Sequence, residues 1–182
     1  NDKIKIDFDS AEIKIMKKIS STKLLAKVTI PGHVGSNKGV DMNRAIKLEP
    51  FTTKDIKAIE IAKKMNIKHF SFSFASTERD VINLRKIIGD KSILISKIEN
   101  KEGVKNLKRI LKHSNSIIID RGDLSRQIPI YKVPLMQRKI VNIAKQNKTD
   151  TYVATNLLEN MIDKRDPTRA EVNDVISTLE MG

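Results

Sequence analysis

The stretch Ile95-Ser96-Lys97-Ile98-Glu99-Asn100 sets an ammonium two residues from a carboxylate. On a strand, positions two apart share a face, so Lys97 and Glu99 project together. At the C-terminal end of a barrel strand that face points into the site. A cation beside a metal-binding carboxylate suits phosphoryl transfer, in which charge spreads over the moving oxygens. A solvated Lys–Glu pair on a half-exposed strand is the ordinary alternative. A second stretch, Ile119-Asp120-Arg121-Gly122-Asp123-Leu124, runs aliphatic residues into a Gly-Asp turn. It sets Asp123 just past a strand end, where Gly122 lets a ligand approach the backbone and exposed amides can hold a carboxylate or phosphate. Asp123 can then join Glu99 around Mg²⁺, which takes few protein carboxylates and fills its shell with water and substrate. The competing readings are a plain strand-to-loop turn and an adhesive Arg-Gly-Asp motif, the latter unsupported by a cysteine-free, lysine-rich composition.

Weaker signals lie elsewhere. Alternation on Thr151–Thr155 sets Thr151, Val153 and Thr155 on one face, with Thr155 at the strand end, able to bond a reacting group or a water. Buried Thr is common in strands. The loop Gly35–Gly39 offers Lys38 as a point charge for phosphate, but it lacks the Walker spacing and by itself reads as a flexible loop. His33, His69 and His113 have no metal-ligand spacing and are read as structural or surface residues.

These groups need a scaffold, and the hydrophobic periods supply one. Ile4, Ile6 and Phe8 alternate with polar residues, as do Ile13 with Ile15 and Val28 with Ile30, which makes residues 1–48 part of a small β domain. From Pro50 the period becomes helical, with Ile56, Ile59, Ala62 and Met65 behind a cap at Thr52 and Asp55. Strands are expected at His69–Ala75, Ser92–Glu99, Ser116–Asp120 and Thr151–Thr155. The helices between and after them carry Val81, Leu84, Ile87 and Ile88; then Val104, Leu107 and Leu111; then Val133, Met136, Ile140 and Ala144. The last helix has a stripe of Val172, Val175, Ile176 and Leu179 behind a Thr168–Glu171 capping box. Strands alternating with helices over residues 49–182 predict parallel β/α architecture. A closed barrel takes eight strands and about 250 residues. Four strands therefore imply a fragment, a barrel completed by a partner, or a smaller open sheet.

Composition narrows the class. The 182 residues carry 35 Lys and Arg against 22 Asp and Glu, a net charge of +13, and no Cys. Disulfides, thiol catalysis and cysteine-bound metals are excluded. No apolar run is long enough to span a bilayer, and a cytoplasmic protein without a membrane partner is expected. A pI near 9.9 suits phosphorylated substrates, nucleic acid or a lysine-rich surface equally.

The order and wording of the motifs go further. The chain resembles the pyruvate kinase family through Gly35-Ser36-Asn37-Lys38-Gly39-Val40, Thr53-Lys54-Asp55-Ile56, Ser96-Lys97-Ile98-Glu99-Asn100 with Glu102-Gly103-Val104, and Arg121-Gly122-Asp123-Leu124. It does so again at Lys132-Val133-Pro134-Leu135 with Gln137, Ala154-Thr155, Leu158-Glu159 with Met161, and Pro167-Thr168-Arg169-Ala170-Glu171. The resemblance implies an α/β fold: a partial TIM (β/α)₈ barrel of pyruvate kinase type, with part of a small β domain at the N-terminus. It implies phosphoryl transfer between phosphoenolpyruvate and ADP, giving pyruvate and ATP, with Mg²⁺ or Mn²⁺ and K⁺, in a homo-oligomer. By motif position, Lys97 would stabilise the transferring phosphoryl group and the enolate, and Glu99 and Asp123 would bind the divalent metal. The amides of Gly122 and Asp123 would hold the substrate carboxylate, Thr155 would lie where the enolate is protonated, and Lys38 would approach the nucleotide. Closure of the β domain would exclude water.

The resemblance also implies that an Arg for the phosphate and the Asn, Ser, Asp and Thr groups for K⁺ precede residue 1, with a last strand after Gly182. Within the matching span Asp120 stands where the family has Ala, Ser125 where it has Gly, Asn156 where it has Gln, and Ser76 where it has a basic residue. Asp120–Asp123 repulsion is expected to raise a carboxylate pKa or shift the metal. A rival reading, resting on the strands expected outside this span, Asp120 and the charge of +13, is a non-catalytic, pyruvate-kinase-like binding or assembly protein with an anionic partner such as nucleic acid.

Overall fold

The computed structural model describes every residue except Asn1, Phe8, Asp9, Ala45 and Lys47. The alternation expected at Phe8 therefore lies outside the described residues. The chain divides into two compact units, residues 1–49 and 50–182.

The first unit is an antiparallel sheet of β1 (Lys3–Ile6), β2 (Ala11–Lys18), β3 (Leu24–Ile30) and β4 (Val40–Met42), in the order β3-β2-β1-β4. Sequence patterning anticipated the first three; three residues are too few for alternation to reveal β4. Register shifts between Glu12 and Ile13 and between Ile15 and Lys17 interrupt the β2–β3 ladder, and Lys3 on β1 pairs with Glu12 on β2 at 3.3 Å.

The second unit pairs β5 (His69–Phe72), β6 (Ile93–Ile98), β7 (Ser116–Asp120) and β8 (Asp150–Ala154) as a parallel sheet in chain order. Helices α1 (Thr53–Lys64), α2 (Glu78–Ile88), α3 (Lys101–Lys105), α4 (Leu107–Leu111), α5 (Arg121–Ser125), α6 (Val133–Gln146) and α7 (Arg169–Glu180) fill the connections. Their starts follow the sequence chemistry. Thr52 with Asp55 and Thr168 with Glu171 form complete capping boxes, and Thr77 caps α2. Leu94, Ile98, Leu107, Ile110, Ile117, Ile119, Leu124 and Ile140 are the largest fully buried aliphatic residues of the core. No described helix is long and apolar enough to cross a membrane.

Four local expectations change. Strand β5 stops at Phe72 because the chain turns at Phe74, at φ +52°, whose amide donates to Glu99 Oε2. The single helix expected through Val104 and Leu111 is two, broken at Asn106, whose side-chain amide donates to the Ser76 carbonyl at 2.8 Å. The Gly-Asp turn is a one-turn helix, α5, capped by Asp120. The apolar stripe of α7 leaves Val172, Ile176 and Leu179 largely exposed. The helix is instead tied down by polar bonds, from Asp174 to Arg121 and from Thr178 to Gln137.

Candidate functional site

Parallel strands deliver their C-terminal ends to one edge of the sheet, and the candidate residues gather at those of β6, β7 and β8. Lys97 lies near the end of β6 and Glu99 one residue past it. The Lys97 ammonium contacts Glu99 Oε1 at 2.5 Å and Asp120 Oδ2 at 3.0 Å. Glu99 is only 1% exposed, and its second oxygen accepts the Phe74 amide. Asp120 ends β7. Its Oδ1 accepts from Thr155 Oγ1 at 3.3 Å and from the Asp123 amide at 3.4 Å. Asp123, one turn into α5, turns a carboxylate oxygen to Arg126 at 3.1 Å. Glu99, Asp120 and Asp123 each offer an oxygen within 4.8 Å of the others, a grouping that could hold a metal ion.

The charges do not balance within the innermost trio, where one ammonium serves two carboxylates. Burial pushes the Glu99 carboxyl above its usual range, and the bonds from Lys97 and the Phe74 amide recover only part of that shift. Burial also opposes ionisation of Asp120, but Lys97, the Asp123 amide and Thr155 outweigh it and hold its pKa below the usual value. Burial likewise works against the Lys97 cation, and its two carboxylate partners overcome that, so its pKa rises. The carboxyl that is raised is thus Glu99; at Asp120, where repulsion from Asp123 is expected to raise the value, it is instead lowered by its donors.

Thr155 departs from its expected setting. It lies one residue beyond β8 at φ +69°, a left-handed backbone unusual for a β-branched residue, so strand alternation does not aim its side chain. Two donors fix it. The Gly122 amide donates to Thr155 Oγ1 at 2.8 Å, and the Arg121 guanidinium donates to the Thr155 carbonyl at 3.1 and 2.7 Å and to the Asn156 carbonyl at 2.9 Å. Arg121 is itself buried and gripped by both oxygens of Asp174 at 2.9 and 2.7 Å. Sequence reasoning passed over Arg121 and Asp174. The usable signal was an Arg at the junction of an aliphatic strand and a turn, where a buried guanidinium requires an acidic partner.

The amides of Gly122 and Asp123, assigned by resemblance to a carboxylate, donate here to Thr155 and Asp120. Ser125 donates back to the Gly122 carbonyl at 2.7 Å, and the Ser76 hydroxyl joins Phe74 and Asn100. Lys38 belongs to the first unit, where its ammonium pairs with Asp7 at 3.2 Å.

A family model described as "Pyruvate kinase, barrel domain" matches residues 1–182. Among curated proteins, the chain is 34% identical to the pyruvate kinase of Methanocaldococcus jannaschii, with 96% of this chain and 40% of that protein covered. It is 35% identical to that of Clostridium perfringens, covering 97% of this chain and 38% of the relative, and 32% identical to that of Borreliella burgdorferi, covering 99% and 39%. The chain thus spans about two fifths of the length of these relatives.

Proposed function

This chain belongs to the pyruvate kinase family, and from that premise we propose that it serves phosphoryl transfer between phosphoenolpyruvate and ADP in glycolysis. Mg²⁺ or Mn²⁺ is the divalent cation of this reading and K⁺ the monovalent one. One observation carries it: the Lys97 ammonium bridges carboxylates at the ends of two neighbouring parallel strands, with Asp123 facing the same space. The donors fit such an ion, since all are hard carboxylate oxygens gathered within 4.8 Å of one another.

Toward ATP, the bond between phosphorus and the enolate oxygen breaks while a terminal oxygen of ADP bonds to phosphorus. The electron pair stays on the enolate, which takes a proton at C3 to become pyruvate. Lys97 offsets charge on the transferring oxygens and on the enolate. Glu99 and Asp123 would hold the divalent ion, which when bound supplies Lewis-acid stabilisation of those same oxygens. The amides of Gly122 and Asp123 receive the substrate carboxylate, which replaces their present acceptors. The Thr155 hydroxyl lies on the face where C3 is protonated, and Lys38 is the residue we assign to the nucleotide. The same reading takes residues 1–48 as part of a lid domain and 49–182 as barrel, in a cytoplasmic homo-oligomer.

The test is a coupled assay of pyruvate formation by the full-length gene product. Divalent-dependent turnover should fall by about 10²–10³-fold in Lys97→Met. Absence of turnover, or an unimpaired Lys97→Met protein, would reject the assignment. Salt-sensitive RNA binding without any divalent-dependent ligand binding would favour the anionic-partner reading instead.

A further inference from the structure

The Asp120 carboxylate already holds the donors that the proposed reaction gives to its anionic substrate. Its Oδ1 accepts from the Asp123 amide at 3.4 Å and from the Thr155 hydroxyl at 3.3 Å, and its Oδ2 lies 3.0 Å from the Lys97 ammonium. The proposed reaction assigns that amide to the substrate carboxylate, Lys97 to the phosphoryl oxygens and enolate, and Thr155 to the face of C3. The space coincides as well. Gly122 has no side chain to keep a ligand from the backbone, yet a Cβ built there would stand 3.6 Å from Asp120 Oδ1. An alanine, which the family resemblance leads one to expect at position 120, would leave both the donors and the space open.

The charges agree. Lys97 contacts Glu99 at 2.5 Å as well as Asp120, so its single positive charge is outweighed before any substrate arrives. Arg121 is gripped by Asp174, and Arg126 pairs with Asp123. An anion entering here meets repulsion from Asp120 and finds its cation already compensated. The hold on Asp120 is nonetheless uneven. Its two neutral donors stand beyond the usual distances for their types, and only the ion pair is close. A substrate carboxylate with shorter bonds to the same donors can therefore replace it.

We propose that Asp120 is an internal competitor of the substrate: its carboxylate fills the subsite of the phosphoenolpyruvate carboxylate and must leave before phosphoenolpyruvate binds. This rests on the phosphotransferase reading. A site that is open for only a fraction of the time binds more weakly by that fraction. Asp120 thus takes no part in the transfer and sets the substrate concentration at which the site fills.

The test is a calorimetric titration of phosphoenolpyruvate into the full-length protein with Mg²⁺ and without ADP, as native, Asp120→Asn and Asp120→Ala. Binding should tighten by about 10–10²-fold in Asp120→Ala, the range expected for bonds to a charged group. Asp120→Asn, which keeps the bulk and drops the charge, should fall between the two. Should Asp120→Ala not fold, tightening in Asp120→Asn carries the same decision. Formate gives a second readout, because a free carboxylate can enter the vacated place. At constant ionic strength it should weaken phosphoenolpyruvate binding to Asp120→Ala more than to native protein. Unchanged or weaker phosphoenolpyruvate binding in Asp120→Ala, or equal competition by formate in both proteins, would overturn the proposal while leaving the phosphotransferase reading in place. Binding to neither native protein nor variants would reject that reading, and the proposal with it.

Discussion

Residues 50–182 bury a continuous aliphatic core between a parallel sheet and its helices, and every buried apolar residue from Phe72 to Ala144 belongs to it. In residues 1–49 the buried positions among the described residues are Ala11 and Glu12, and β3 is exposed along its whole length. One region is held by apolar burial, the other by backbone ladders and surface pairs. The difference teaches where a precise charge constellation can be kept. Lys97, Glu99 and Asp120 sit at the ends of strands whose inward neighbours, Ile98 and Ile119, are fully buried. Lys38 is half-exposed and pairs with Asp7, and pairs near the surface contribute little to stability.

Core truncation should sharpen the contrast most. Ile119→Ala should destabilise residues 50–182 by about 2–5 kcal/mol, whereas Leu25→Ala on exposed β3 should change stability by less than about 0.5 kcal/mol. Chemical denaturation of both variants checks this, and equal effects would break the comparison. Next is Gly103, where an added Cβ would stand 2.5 Å from the Ala75 carbonyl. Gly103→Ala should cost roughly 1–3 kcal/mol, since backbone must shift to admit it. At Gly122 the same methyl meets ordinary contacts of 3.4–3.6 Å with Thr155, Asn156 and Asp120. Gly122→Ala should therefore fold normally but bind phosphoenolpyruvate poorly in a calorimetric titration.

The smaller effects concern helix ends. Thr168→Ala should cost about 1 kcal/mol in thermal unfolding by removing the cap of α7. Glu171 accepts the Asn160 and Thr168 amides, which hold its pKa below the usual carboxylate range. Its folded value lies under its unfolded one, so its contribution is complete above the unfolded pKa and fades as pH falls through the lowered value. The difference in melting temperature between native protein and Glu171→Gln should shrink over that acid window and stay constant from pH 6 to 8.

Much of this was legible in residue types alone. The parallel β/α order, both capping boxes and the approach of Lys97 to Glu99 follow from periodicity and short-range chemistry. The break at Asn106 was not legible, because a side-chain bond to the distant Ser76 carbonyl decides it. Thr155 was read through strand alternation, yet its backbone is set by Arg121, more than thirty residues away. The apolar stripe of α7 pointed to a buried face, but Asp174 and Thr178 make the contacts that hold that helix. Local pattern thus brought the candidate residues to neighbouring strand ends, while long-range polar bonds fixed the orientation of their side chains.

On the proposed reading, the ends of β6 and β7 hold a divalent cation with Lys97 beside it. Titration of Mn²⁺ into the full-length protein with phosphoenolpyruvate present, followed by the paramagnetic resonance of free ion, tests it directly. Binding should weaken by about tenfold or more in Glu99→Gln and in Asp123→Asn. Native-like binding in both variants, or no binding to the native protein, would contradict the account.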